Sequence, residues 1–281
     1  MLQAAREFLT RKGVEEARLE ADLLVAHALG LDRLRLYMQL DRPIGPAELD
    51  RARDLLVQRG KRIPLAYIRG TREFYGRSFQ VGPGVLIPRP ETELIIDRAR
   101  EWAGTRSALR IADLGTGSGC LAITLALECP QSQVLALELS AAAAICAQAN
   151  LQRLAPGVRL IEGEGFASLE ASVREHGRFD LIVSNPPYVE AAERASLAPE
   201  VREHEPELAL FAPANDPDYF ARELLERAPR WLNPGGLLLV ELGHRQAARL
   251  RRLAEQWGRA IALVRDGAGI ERVLEWRQPS A

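Results

Sequence analysis

From about residue 110 onward the chain alternates short, apolar, β-rich runs with helical stretches, and this alternation restricts its fold more than any other feature. Residues 110–114, 134–137, 158–161, 179–183, 237–241, 260–264 and 272–276 read as strands, with helical patterns between most of them. Such alternation implies βαβ units and a largely parallel sheet with helices on both faces. Ligands of these sheets sit beyond the carboxyl ends of the strands, near the point where strand order reverses. The chemistry is therefore to be sought just after strands.

Ahead of this region, Met1 to about Arg62 reads as helix, with Leu19, Leu23, Leu24, Ala26 and Leu29 at three- and four-residue spacing. Gly13, Gly30 and residues 41–46 punctuate it into three or four short helices, with too little core to be expected stable alone. Aromatic residues flanking Gly76 suggest a hairpin, and a Pro- and Gly-rich connector over 81–90 leads into a helix near Glu91. The expected organisation is a helical domain over 1–70, hairpin and connector over 71–90, and the sheet domain over 91–281.

The first strand runs into Asp113-Leu-Gly115-Thr116-Gly117-Ser118-Gly119 and then a helix start. Glycines allow a sharp turn and let the backbone approach a ligand where a Cβ would collide. A dinucleotide fingerprint needs glycine at 120, where this chain has Cys120, and a P-loop needs Gly-Lys-Ser/Thr, which is absent. The spacing G-x-G-x-G after Asp113 is instead the pattern that follows the first strand of S-adenosylmethionine-dependent methyltransferases. Glu138 ends the second strand and is followed by Ser140, a candidate helix cap. A carboxylate placed there can accept both hydroxyls of a ribose, each bond worth roughly 1.5–3 kcal/mol. After the third strand, Glu164, Gly165 and Phe166 fall where such folds offer a polar group and a flat side chain to adenine; Phe166 is equally readable as core.

The fourth strand ends in Ser184-Asn185-Pro186-Pro187-Tyr188. Adjacent prolines fix φ and carry no N–H, so the segment holds its shape without secondary structure and its carbonyls can face a substrate. Asn185 offers a side-chain oxygen, Pro186 a backbone oxygen and Tyr188 a ring face, a set suited to an NH2 group on a planar system. Two acceptors can orient the delocalised nitrogen toward an incoming methyl group and stabilise the charge that develops on it.

Added to these, Glu73-Phe-Tyr-Gly76, Pro83-Gly-Val-Leu-Ile-Pro-Arg-Pro-Glu-Thr-Glu93, His204-Glu-Pro-Glu-Leu-Ala-Leu210 and Asp266-Gly-Ala-Gly-Ile-Glu-Arg-Val273 make the chain resemble the HemK family of peptide chain release factor glutamine methyltransferases. The segment Arg18-Leu-Glu-Ala-Asp-Leu-Leu-Val-Ala-His-Ala-Leu-Gly30 is similar to that family's N-terminal helical domain. The resemblance implies a class I, Rossmann-like methyltransferase fold of seven mostly parallel strands behind a small all-α domain that recognises the release factor. It implies methyl transfer from S-adenosylmethionine, leaving S-adenosylhomocysteine, to the glutamine side chain of the Gly-Gly-Gln tripeptide of bacterial class 1 release factors. Gly115, Thr116, Gly117, Ser118 and Gly119 would line the cofactor, Glu138 would hold its ribose, and Glu164, Gly165, Phe166 and Asn185 would complete its site. Asn185 and Pro186 would hold the substrate amide, with Pro187 and Tyr188 packed on it. Glu138 and Glu164 stand where Asp is usual, and Gly165 is often larger in relatives. The stretch 88–93 is expected to wall the site or to be structural.

Competing readings are a nucleic-acid amino methyltransferase, a ribosomal-protein glutamine methyltransferase and a non-catalytic cofactor-binding module. The first predicts a basic groove, yet 37 Lys and Arg face 38 Asp and Glu, for a net charge of −1. No direct nucleic-acid partner is expected. Three cysteines without a C-x-x-C pair, and four histidines without helical ligand spacing, point to a reducing compartment and away from a metal site. No apolar run reaches the roughly 18 residues of a membrane span and the N-terminus lacks a signal-peptide core, so no membrane is expected and the expected location is the cytoplasm.

Overall fold

Leu237 to Val240 are four apolar residues in a row, the pattern of a strand buried on both faces. In the computed structural model, which describes residues 1–280, Leu237 and Leu239 pack into one core and Leu238 and Val240 into another on the opposite face. The chain forms two compact units, Met1–Thr71 with Leu197–His204, and Arg72–Ser196 with the remainder from Glu205.

The first unit contains α1 (Leu2–Arg11), α2 (Ala17–Ala28), α3 (Arg33–Met38), α4 (Pro46–Gly60) and α5 (Leu65–Arg69). Leu9, Ala21, Leu24 and Val25 are its centre. Asp32 caps α3 by accepting from Arg35 N at 2.7 Å, and Gly70 in the left-handed region ends α5. The α5 segment carried no element assignment in the sequence.

The second unit opens with the hairpin β1 (Thr71–Phe74) and β2 (Arg77–Gln80), whose turn residues Tyr75 and Gly76 both have positive φ. Then follow α6 (Glu93–Ala103), β3 (Arg110–Leu114), α7 (Cys120–Glu128), β4 (Gln133–Glu138), α8 (Ala141–Leu154), β5 (Arg159–Glu162), α9 (Gly165–His176) and β6 (Phe179–Ser184). Beyond these the chain forms α10 (Pro199–His204, in the first unit), α11 (Glu207–Leu210), α12 (Tyr219–Trp231), β7 (Leu232–Glu241), α13 (Ala247–Gln256), β8 (Ile261–Arg265) and β9 (Glu271–Arg277). The strand order is β5-β4-β3-β6-β7-β9-β8, with β9 antiparallel to both neighbours and the other pairs parallel. Order reverses between β3 and β6, the adjacent strands that carry the glycine turn and the Asn-Pro-Pro-Tyr segment at their ends. Ser184 Oγ donates to Leu114 O at 2.7 Å and ties the two ends together.

Candidate active site

The turn after β3 is shaped by backbone conformations that favour glycine. Gly115, Gly117 and Gly119 have φ of 74°, 57° and 83°. Gly115 N and Thr116 N both donate to Leu137 O, at 2.9 and 3.0 Å, so the turn hangs from the end of β4. A Cβ built on Gly115 or Gly117 would meet nothing within 4 Å, whereas one on Gly119 would stand 3.1 Å from Ile123 Cδ1. The first two glycines therefore keep open space beside the turn, and the third lets it close on α7. Gly115, Thr116, Gly117 and Ser118 line a cleft over this turn; Gly119 packs behind it.

Glu138 is buried at the end of β4, with Oε2 accepting from Gly117 N and Oε1 from Ser140 N, both at 2.8 Å. Each carboxylate oxygen has a second lone pair, so the group is held rigidly while keeping acceptor capacity toward the cleft it lines. Ser140 caps α8 as expected. Beneath the turn, Asp113 is wholly buried. Its Oδ2 accepts from Thr116 Oγ1 at 2.6 Å and Ala122 N at 3.1 Å, while Oδ1 has no partner among the described residues. Burial pushes the Asp113 carboxyl up to about 7, with Glu138 adding to the rise and the two hydrogen bonds opposing it.

On the expected adenine side Glu164, Gly165 and Phe166 all line the cleft, and each also has a part in the local structure. Glu164 is the N-cap of α9, accepting from Phe166 N at 3.3 Å and Ala167 N at 2.6 Å. A Cβ on Gly165 would lie 2.5 Å from Leu114 Cδ1, which accounts for the glycine. Phe166 reaches the cleft but is 5% exposed, stacked 6.0 Å from Trp231 in the core. Leu139, 54% exposed, and Phe220 add apolar wall.

Across the cleft stand Asn185, Pro186 and Pro187, with Pro88, Arg89 and Thr92 of the connector, so the stretch expected to wall the site does so. Glu205 anchors that connector from beneath, accepting from Ile87 N at 3.1 Å and Arg89 Nη2 at 2.6 Å. Asn185 Nδ2 donates to Thr92 Oγ1 at 3.0 Å, leaving Oδ1 without a donor among the described residues. Thr92 Oγ1 in turn donates to Glu241 Oε2 at 2.5 Å. Tyr188 does not line the cleft; its hydroxyl donates to Glu241 Oε1 at 3.3 Å and its ring crowds the open face of Gly243. Thr92 and Glu241 lie outside the residues singled out as catalytic or binding from the sequence. Glu241 repeats the signature of Glu138, an acidic residue at the end of an apolar strand, and that signal was available. The Asp266–Arg272 motif closes the turn before β9, with Asp266 Oδ1 accepting from Ala268 N and Ile270 N and Oδ2 from Arg272 Nε.

The residues present fit S-adenosylmethionine: space above Gly115 and Gly117, an oriented carboxylate on Glu138 and apolar wall for a flat ring. With β9 reversed in an otherwise parallel sheet, the fold is that of the class I methyltransferases, as expected. A methyltransferase from Pyrococcus furiosus shares it over 73% of this chain and 91% of its own, with a TM-score of 0.52 and 20% identity. Residues 1–70 match the PrmC N-terminal domain family and residues 92–203 the methyltransferase small domain family.

Among relatives, the release factor glutamine methyltransferase of Geobacter sulfurreducens is 44% identical over 278 residues, 99% of this chain and 95% of that one. Its counterpart in Bordetella pertussis is 44% identical over 257 residues, 91% and 93% of the two chains. The chain belongs to the release factor glutamine methyltransferase family, and its cofactor is S-adenosylmethionine.

Proposed function

We propose that the chain methylates the side-chain amide nitrogen of the glutamine in the Gly-Gly-Gln tripeptide of bacterial class 1 release factors, in the cytoplasm and without nucleic acid as a direct partner. The names of its relatives support the substrate, and the near-balance of charge supports a protein over a nucleic acid. The observation that carries the reading is Asn185: its NH2 is committed to Thr92, its oxygen is uncommitted, and it stands beside Pro186 on the cleft wall at the switch point.

S-adenosylmethionine supplies, when bound, a methyl carbon on a positively charged sulfur. Glu138 would hold the ribose, and the open face of Gly115 and Gly117 would leave room for the rest of the donor. Asn185 Oδ1 and the Pro186 carbonyl accept the two N–H bonds of the glutamine amide. That fixes the plane of the amide and stabilises the positive charge growing on nitrogen as its lone pair forms the N–C bond and the S–C electron pair returns to sulfur, giving neutral S-adenosylhomocysteine. The N–H protons become acidic as the bond forms, so one leaves after transfer without a strong base. The apolar walls favour the transition state, in which the sulfonium charge is already dispersed.

Asn185→Ala in the full chain is expected to keep its melting temperature and its affinity for S-adenosylmethionine while methylation of purified release factor falls by about 100-fold or more. Unchanged turnover would remove Asn185 from the chemistry. Transfer of label to DNA, RNA or ribosomal protein in preference to release factor would overturn the substrate.

A further inference from the structure

Thr92 in the turn before α6, Asn185 and Tyr188 in the segment after β6, and Glu241 at the end of β7 form one hydrogen-bonded string. Its polarity is fixed by a simple constraint: a hydroxyl carries one proton. Glu241 takes the proton of Thr92, so the threonine oxygen can only accept from Asn185. Asn185 must then present NH2 to Thr92 and turn its carbonyl oxygen away. We propose that Glu241 is a positioning residue, acting through Thr92 to decide which end of the Asn185 carboxamide meets the substrate.

This inference rests on the glutamine reading and adds to it the reason Asn185 serves as an acceptor. With a hydrocarbon at 241, the Thr92 proton is free to swing to Asn185 Oδ1. The carboxamide then turns over and sets its NH2 against the NH2 of the substrate, where two donors repel. The string also depends on charge. A neutral carboxyl at 241 can donate to Thr92 and release the threonine proton toward Asn185, so the productive order belongs to the ionised form. Burial pushes Glu241 up to about 7; Thr92 and Tyr188 oppose the rise, Glu91 adds to it and Arg272 lowers it. The buried Cys120 on α7 also feels this carboxylate.

The experiment uses the full chain with release factor and saturating S-adenosylmethionine. Glu241→Leu and Thr92→Val each lower kcat on the order of 100-fold, with a smaller change in the KM for release factor, and the double variant is no worse than either single one. Glu241→Gln, whose oxygen can accept from Thr92 in one of its two amide orientations, recovers part of the kcat lost in Glu241→Leu and loses the fall in rate expected of the parent below about 7. Wild-type kcat in Glu241→Leu, losses that multiply in the double variant, or a Gln variant as impaired as the Leu one would each overturn the relay. A second measurement needs no substrate. The Asn185 Nδ2 protons exchange slowly in the parent and Glu241→Gln, and quickly in Glu241→Leu and Thr92→Val, by NMR of the nitrogen-labelled chain. If the parent transfers no methyl group to release factor the glutamine reading fails, and the exchange measurement still decides the relay.

Discussion

Asp113 shows how one buried carboxyl ties the glycine turn to pH. It is the next-to-last residue of β3, fully enclosed, with one oxygen bonded and one not. Its folded value of about 7 lies above the ordinary 3.8, so the stability it contributes is complete below about 3.8 and is lost as pH rises through about 7. The Asp113→Asn variant carries no ionisable group there and has no such loss. The melting temperature of Asp113→Asn minus that of the parent, without cofactor, is therefore expected to rise by several degrees between pH 5 and pH 8, since about 2–4 °C accompanies each kcal/mol in a domain of this size. A flat difference would mean Asp113 is ionised throughout. At this scale much of the cleft was legible: Gly115, Gly117, Glu138, Asn185 and the prolines stand in motifs beside strands. The pairing of Thr92 with Glu241 was not, because it spans 149 positions and exists only once the connector folds over the end of β7; Glu241 by itself carried the same strand-end signal as Glu138.

At the scale of elements, α9 begins where β3 ends its packing, and the join tolerates no extra carbon. Gly165 is the first residue of α9, and a Cβ there would press on Leu114 Cδ1 at 2.5 Å. Leu114 is 5% exposed between the core and the cleft, so its side chain can yield only toward the cofactor space. Gly165→Ala is expected to destabilise by about 1 kcal/mol, overpacking outweighing the gain in helix propensity, and to raise the KM for S-adenosylmethionine. Pairing it with Leu114→Ala makes room, so the double variant loses less melting temperature than the two single changes summed. Strictly additive losses would show that the two side chains do not compete. The seven strands of the large sheet were readable because each is a short apolar run between turn residues. Their edges were less so: β7 starts at Leu232 rather than 237, where Asn233-Pro-Gly-Gly236 folds tightly enough that a Cβ on Gly236 would meet Asn233 O at 2.8 Å. Gly and Pro normally break strands, and here the β6–β7 register shifts to absorb them.

On the scale of the whole molecule, the chain passes between its two units three times, because Leu197–His204 belongs with the N-terminal helices. The sequence held no sign of this return, since α10 has six residues and too little apolar surface to show periodicity. What holds it in the first unit is charge. Arg59, 2% exposed on α4, donates to Glu20 of α2 and to Glu200 of α10 at 2.9 Å, while Arg62 donates to the second oxygen of Glu200 at 2.5 Å. Burial alone would depress Arg59, yet the two carboxylates raise it; burial would raise Glu200, but a backbone N–H and the paired arginines hold it below the usual carboxylate range. Removing one member of such a set leaves the others undercompensated, at a cost of about 3 kcal/mol, near the low end for buried pairs because both carboxylates keep some contact with water. Arg59→Met preserves the apolar stem and deletes the charge. In the full chain it is expected to speed amide hydrogen exchange across 199–204 and along α4, while the protected amides of β3 and β6 keep their rates; equal protection of 199–204 in both proteins would mean that Arg62 alone retains the segment.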